Sequence, residues 1–201
     1  TYVSDQYAEY ETMRTYRERW TDPNTTVTER YMLWPYVRGA AYVDARLDDP
    51  SELWSLYETP PRRTATILRG DAPASSSDGA SAERTVAVEL DGYEPWRQSR
   101  VGAAFVDSVL AGSLSAERSR AVAADLRWDA TVRVRATERE TRPDRWVWTT
   151  EWRDGDAADD FAAGMTALLD DRWSRANGSS SRANATWTLE GDRRATLQRV
   201  D

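Results

Sequence analysis

The 201 residues contain no cysteine, no histidine and no lysine, and isoleucine occurs once, at Ile67. Without cysteine the chain has no thiol nucleophile, no disulfide and no thiolate ligand for a metal. Without histidine it has no imidazole to act as a base near neutral pH or to bind zinc. Without lysine it cannot form a Schiff base or a P-loop. Only carboxylate and hydroxyl chemistry is left, so the sequence favours a non-enzymatic protein and we assign no catalytic residue.

All 27 basic residues are therefore arginine, against 34 acidic residues and a formal net charge of −7. Such acidity keeps a protein soluble by self-repulsion and is used by halophiles, so we expect a halophilic archaeal source, with a high-GC bacterium as the alternative. The arginines alternate with acids instead of forming a basic face, which argues against a nucleic-acid partner. No run approaches the about 18 apolar residues of a membrane span.

Three Asn-x-Ser/Thr sequons, at Asn24, Asn177 and Asn184, are candidate glycosylation sites. Together they favour an extracellular or cell-surface location. The chain also begins without an initiator methionine or a signal-like start, inside a predicted helix, so we expect a processed fragment. The partners that fit are proteins or other cell-surface components, a second copy of the chain, or its own N-terminal fragment.

Residues 1–126 are predicted to be mainly helical, with a polar loop at 70–83 and a short alternating strand at 85–90. Apolar residues recur at helical spacing in five segments of this part, and turn residues separate them. The predicted helices are residues 2–19, 35–47 (with Pro35 in the first turn), a short helix after Asp49-Pro50-Ser51 that ends at Pro60-Pro61, 99–110, and 115–126 with Ser115 as its N-cap.

Residues 127–201 are predicted to form an antiparallel strand-strand-helix-strand-strand unit that shares one core with the first part. The pattern alternates with period two in the strands and changes to helical spacing between them. The predicted elements are strands 131–138 and 145–153, helix 156–173, and strands 185–189 and 195–200 around a hairpin at 190–192. The fold class is therefore α+β.

Two groups of side chains are candidate sites. Asp154 and Asp156 flank a glycine and are the best candidates for calcium, although the further ligands of a calcium loop are missing. The alternative, that these acids begin a helix and add surface charge, is favoured. Trp146, Trp148 and Trp152 share one strand face and either stack on a ligand or, as favoured, form the core under the following helix. A surface patch among Trp20, Trp34, Trp54 and Trp96 would be a further recognition site.

Aromatic, glycine and proline markers between residues 1 and about 170 resemble a family of haloarchaeal surface proteins related to HExxH zinc metallopeptidases, in the region downstream of the zinc-binding helix. The resemblance is diffuse and rests on scaffold positions. The matching residues are Tyr2, Val3, Tyr7, Pro35, Tyr36, Gly39, Tyr42, Val43, Trp54, Tyr57, Pro60, Pro61, Thr64, Gly102, Trp128, Trp148, Trp152, Ala158 and Phe161.

The chain departs from the family at polar positions. A Ser-Thr-Glu-Gln and His-Pro stretch is replaced around Arg63 to Gly70, and a Gly-Glu pair becomes Gly102-Ala103. A Trp-x-x-Asp-Arg run is reduced to Trp128 and Asp129. The zinc helix is absent, and a zincin site needs two histidines and a third ligand, so no peptidase residue can be assigned and no metal or cofactor is expected unless an upstream segment supplies zinc.

Three functions stay open at this point. The first is a non-catalytic extracellular domain, the remnant of a degenerate or processed metallopeptidase-like surface protein with a structural, assembly or recognition role. The second is the substrate-side half of an active zinc metallopeptidase whose HExxH helix lies upstream. The third is a glycan-binding module that uses the tryptophan face.

Overall fold

A computed structural model describes residues 11–47, 49–71, 84–138, 143–172, 174–175, 184–189 and 193–198. It confirms the α+β class. Several predicted features lie outside the described residues: the first part (2–10) of the helix predicted at 2–19, most of the polar loop at 70–83, Asn177 and the hairpin at 190–192. In the part of the chain that is described, no helix is long and apolar enough to cross a membrane.

The helices lie before and between the strands. The helical elements are α1 (Glu11–Thr21), α2 (Val27–Trp34), a π turn (Pro35–Gly39), α3 (Ala40–Asp44), a 3₁₀ turn (Pro50–Glu52), α4 (Leu53–Glu58), α5 (Thr64–Arg69), α6 (Gly102–Leu110), α7 (Ala116–Ala124) and α8 (Gly155–Arg172).

Within the described ranges the strands form two antiparallel sheets, ordered β1-β2-β3 and β4-β5-β6. The predicted C-terminal strands therefore do not share one sheet, and the first sheet gains β1, a strand that precedes α6 and that the sequence did not predict. The strands are β1 (Tyr93–Ser99), β2 (Leu126–Ala136), β3 (Arg145–Trp152), β4 (Ser174–Arg175), β5 (Asn184–Leu189) and β6 (Arg193–Gln198).

The prediction that Pro35 begins a helix is wrong, because that helix begins at Val27, where the Thr26 hydroxyl accepts the backbone N–H of Glu29. Pro35 lies inside the helical segment, at the start of the π turn. Proline has no N–H to donate to the carbonyl four residues earlier, and its ring crowds that carbonyl. The widened turn lets the helix pass the proline and continue to Asp44.

The prediction of a strand at residues 85–90 is also wrong, since this segment pairs as a strand with none of the described residues. A side chain holds it beside β1 instead: Gln98 donates to the carbonyl of Arg84 and accepts the N–H of Val86. Period-two spacing indicates that one side of a segment is buried, not that the segment pairs as a strand. Val86 and Val88 are partly buried, as the spacing predicts, but the segment forms no strand.

Asp129 sets the beginning of α6. Its carboxylate, which is 1% exposed, accepts the backbone N–H groups of Val101 and Gly102. Gly102 has φ +70°, a left-handed conformation that excludes it from a helix interior. The helix therefore starts at Gly102 and not at residue 99, while Ser115 caps α7 as predicted by accepting the N–H of Arg118.

One core joins the helices to the first sheet. α1 and α2 contribute Trp20 and Trp34, α6 contributes Val106 and Leu110, and α8 contributes Phe161 to one cluster of buried side chains. The centre of β2 is also buried, with Val132, Val134 and Ala136 on one face at 1%, 0% and 1% exposure, as the alternation predicted. At one end of the first sheet, side chains face the solvent instead of this core.

Candidate functional site

The tryptophan face of β3 is divided between the core and the solvent. Trp148 and Trp152 pack on Phe161 of α8, with ring centroids 5.8 and 4.5 Å apart. Trp148 also meets Phe105 of α6 edge-on at 5.4 Å. Trp146, at the start of the same strand, is 63% exposed. The structure therefore places two of the three predicted recognition tryptophans against a helix and one at the surface.

A bulge brings Trp96 to the same end of the sheet. In β1 the register moves from Pro95 opposite Val134 to Arg97 opposite Arg133, so Trp96 is the additional residue. A bulge of this kind lets two residues oppose one and redirects their side chains. Trp96 is 49% exposed. Of the four tryptophans named as a candidate patch, it and Trp54 are exposed, while Trp20 and Trp34 are buried in the core.

We define the Arg–Trp surface as Trp96, Arg133, Arg135 and Trp146. The guanidinium carbon of Arg133 lies 4.6 Å from the ring centroid of Trp96 and 5.6 Å from that of Trp146. The guanidinium carbon of Arg135 lies 4.1 Å from the Trp96 ring. These are cation–π distances, and each such contact restrains both partners. The surface is thus one connected stack across three strands.

Asp144 fixes the central arginine of this stack. Its Oδ2 accepts hydrogen bonds from Nε and an Nη of Arg133 at 3.1 and 2.8 Å. Arg133 is therefore neutralised and held in place between the two rings. Arg135, and Arg97 in the bulge, differ from it because neither forms an ion pair within the described ranges. The surface therefore has two exposed aromatic rings and one arginine without an ion pair, Arg135, and the likewise unpaired Arg97 lies next to it in the bulge.

The signal for this surface was present in the sequence. Valine and arginine alternate from Val132 to Arg135, which places Arg133 and Arg135 together on the face opposite the buried valines. What the sequence did not reveal is that β1 pairs with this strand and that its bulge supplies Trp96.

The calcium candidates Asp154 and Asp156 lie at the N-terminus of α8. Asp154 Oδ1 accepts the backbone N–H of Ala157 at 2.9 Å, and Oδ2 accepts Nε of Arg153 at 3.0 Å. These two contacts, the backbone N–H first, hold the pKa of the Asp154 carboxyl below its ordinary value. Over the described residues, no group of three or more acidic side chains is arranged to hold a metal ion.

Two of the sequon asparagines are described. Asn24 is exposed in the turn between α1 and α2, and its backbone N–H donates to Asp22 at 2.8 Å. Asn184 begins β5, opposite Gln198. The exposed position of Asn24 leaves room for a glycan, and glycosylation at all three sequons stays a prediction.

A shallow pocket of about 390 Å³ lies between α3 and α4, beside the exposed Trp54 and Tyr57. Its hydroxyl group at Ser55 donates to the carbonyl of Glu52 at 2.6 Å, and Arg46 donates to the carbonyl of Gly70. Nε of Arg46 is buried without a hydrogen-bond partner in the part of the chain that is described. The pocket thus offers one unsatisfied donor, whereas the Arg–Trp surface combines two exposed rings with cations in contact with them, and we take that surface as the candidate site.

The most deeply buried polar cluster is structural. Asp107 of α6 is 0% exposed and accepts hydrogen bonds from Trp34 Nε1 at 3.2 Å, Arg38 Nε at 2.8 Å and Ser119 Oγ at 2.8 Å. Arg38 reaches it from the π turn. These donors all bond to Asp107 inside the protein, and the cluster joins four helical elements: α2, the π turn, α6 and α7.

In comparisons with known proteins, the chain matches no family model, no curated protein and no solved structure. The resemblance to HExxH-related surface proteins therefore stays a prediction, and the geometry of the Arg–Trp surface has to carry the functional argument.

Proposed function

We propose that the chain is a non-catalytic recognition domain of an extracellular, salt-adapted protein, and that it binds glycans at the Arg–Trp surface. The observation that carries the proposal is the pair of exposed rings, Trp96 and Trp146, held on either side of Arg133. Sugar rings present flat C–H faces that pack on aromatic rings, and their hydroxyl groups accept hydrogen bonds from guanidinium groups. The surface offers both kinds of contact.

The fixed geometry of the stack supports this role. A tryptophan side chain that is free in solution loses conformational entropy when a ligand orders it, which weakens binding. Here the salt bridge to Asp144 holds Arg133, and Arg133 restrains both rings before any ligand arrives. Exposed aromatic side chains of this size also carry a cost in solubility, so their presence at one place favours a binding role.

The experiment measures retention of the folded protein on a panel of immobilised neutral and acidic polysaccharides in high salt. Trp146→Ala should lower affinity by at least tenfold, because buried tryptophan contacts dominate binding energy at interfaces. Trp54→Ala is the matched control, since Trp54 is 72% exposed and lies outside the Arg–Trp surface. Circular dichroism confirms that each variant is folded. Failure to bind any polysaccharide, or equal binding by Trp146→Ala and the wild type, would overturn the proposal.

A further inference from the structure

Some of the charged side chains around the two rings have ion-pair partners and others do not. Arg97 and Arg135 lie next to Trp96 and form no ion pair with any described residue, whereas the acid at the centre, Asp144, is committed to Arg133. Glu94 is the register partner of Arg135 in the β ladder, yet no ion pair joins them. Other arginines, such as Arg17 and Arg62, also lack an ion pair within the described ranges. What distinguishes Arg97 and Arg135 is their position beside the exposed Trp96 ring.

The chemistry of the guanidinium group limits the class of ligand that this surface can bind. The planar guanidinium group of arginine has five N–H donors in a fork that matches a carboxylate in two-point contact, and it can stack on an aromatic ring while it does so. The guanidinium carbon of Arg135 lies 4.1 Å from the centroid of the Trp96 ring, and its N–H groups form no hydrogen bond or ion pair with the described residues, so they are available to a ligand beside that ring. A ligand that both stacks and carries a carboxylate fits this arrangement.

We propose that the Arg–Trp surface recognises acidic glycans, with uronate residues whose ring packs on tryptophan and whose carboxylate pairs with Arg135 and Arg97. This inference rests on the proposed glycan-binding function and specifies its ligand class. Nucleic acid is a poorer fit, because its binding needs a concentrated basic face and the arginines of this chain alternate with acids. A uronate carboxylate needs only the two guanidinium groups beside the ring.

At high salt, an anionic ligand is bound best by direct contact with a guanidinium group. At about 1 M salt the Debye length is about 3 Å, so attraction between separated charges is screened. A carboxylate in two-point contact with a guanidinium group is much less screened, and stacking on a ring is not screened at all. A salt-adapted protein that binds an anion therefore needs arginine at the ring itself, which is where Arg135 lies.

The test compares sodium polygalacturonate and sodium alginate with the methyl esters of the same polymers, which keep the sugar backbone and lose the charge. Affinity is measured by calorimetry or affinity electrophoresis at one high salt concentration. We expect at least one of the free acids to bind at least tenfold more tightly than its ester. Arg135→Gln should remove most of that difference. Arg118→Gln is the matched control, because Arg118 is exposed and pairs with Asp160 outside the Arg–Trp surface.

The outcomes separate the two proposals. If acid and ester bind equally and Arg135→Gln has no effect, the acidic-ligand inference is wrong while glycan binding stands. If neither free acid binds but neutral polysaccharides do, the result is the same. If no polysaccharide binds, and anionic lipid vesicles or a single-stranded oligonucleotide bind instead, both proposals are wrong. Loss of acid binding in Arg118→Gln to the same extent as in Arg135→Gln would also overturn the inference, since it would show only an effect of overall charge.

Discussion

Replacing Arg38 by methionine should leave the Asp107 carboxylate buried without its counter-charge. Asp107 is completely buried, and the Arg38 side chain is only 15% exposed. Arg38 donates to both carboxylate oxygens, and its Nη also donates to the carbonyl of Ala116 at 2.8 Å. Methionine is shorter but replaces the aliphatic part of the side chain, so the variant removes the charge, these hydrogen bonds and the cation–π contact with Trp20 while it keeps much of the packing.

The magnitude follows from burial. Breaking a buried ion pair by removing one partner costs about 3–5 kcal/mol, because the remaining charge is left desolvated, while an exposed pair contributes about 0–1 kcal/mol. Trp34 Nε1 and Ser119 Oγ would still donate to Asp107, which places the expected loss nearer 3 kcal/mol. Set against a total stability of about 5–15 kcal/mol, the loss would be a large fraction.

The assay is urea unfolding followed by circular dichroism at constant high salt, since urea is uncharged and leaves ionic strength unchanged. For Arg38→Met we expect the midpoint to fall by at least about 1 M urea. The double variant Arg38→Met with Asp107→Asn should recover part of the loss, because a neutral amide needs no counter-charge. If Arg38→Met costs no more than Arg118→Met at the surface, the buried ion pair does not hold these helices together and the reasoning is refuted.

Three further variants test other parts of the structure. Gly102→Ala should cost about 1–2 kcal/mol because its φ of +70° disfavours a Cβ atom, which would also lie 3.0 Å from Thr64 Oγ1; equal stability in urea would contradict this. Trp148→Ala should lower the free energy of unfolding by about 3 kcal/mol, whereas Trp146→Ala should change it by no more than about 0.5 kcal/mol. Similar unfolding midpoints for the two variants would contradict the division of the β3 face between core and solvent. In Asp154→Asn the melting temperature should be lower than in the wild type near neutral pH. Because the folded pKa of Asp154 is lowered, that difference should disappear as the pH falls through it, whereas a difference independent of pH would show that the charge is irrelevant.

The elements with regular periodicity were predictable from the sequence. The alternation in residues 145–153 predicts β3 almost to its ends, and the predicted helix at 156–173 corresponds to α8 (Gly155–Arg172). In both cases the side chains on one face pack mainly against the rest of the protein, so local spacing predicts the element correctly even though Trp146 at the start of β3 is exposed. Ser115 was found for the same reason, since an N-cap needs only the residues that follow it.

The candidate surface depended on contacts that local spacing does not encode. β1 contains Pro95 and a bulge, and both break the period-two pattern by which strands are recognised. In β2 all three residues from Trp128 to Ala130 are buried, so burial does not alternate there and the sequence pattern does not indicate where the strand begins. Trp96 and Trp146 are far apart in the sequence, and only the pairing of both strands with β2 brings them to one arginine.

The π turn has a consequence for insertions and deletions. Arg30, Trp34, Arg38 and Tyr42 all point into the protein at a strict spacing of four residues. In a regular α-helix, a step of four residues rotates the side chain by about 40° more than a full turn. After three such steps, Tyr42 would face a different side of the helix from Arg30. The wider turn cancels part of that drift and keeps Trp34 and Arg38, on either side of it, both directed at Asp107 of α6. Because the π turn holds one residue more than an α-helical turn, deleting one residue between Trp34 and Arg38 would leave an ordinary α-helix with the residues after it in nearly the same phase. Inserting a residue there would rotate Arg38 by about 100° away from Asp107, so this segment should tolerate a deletion better than an insertion.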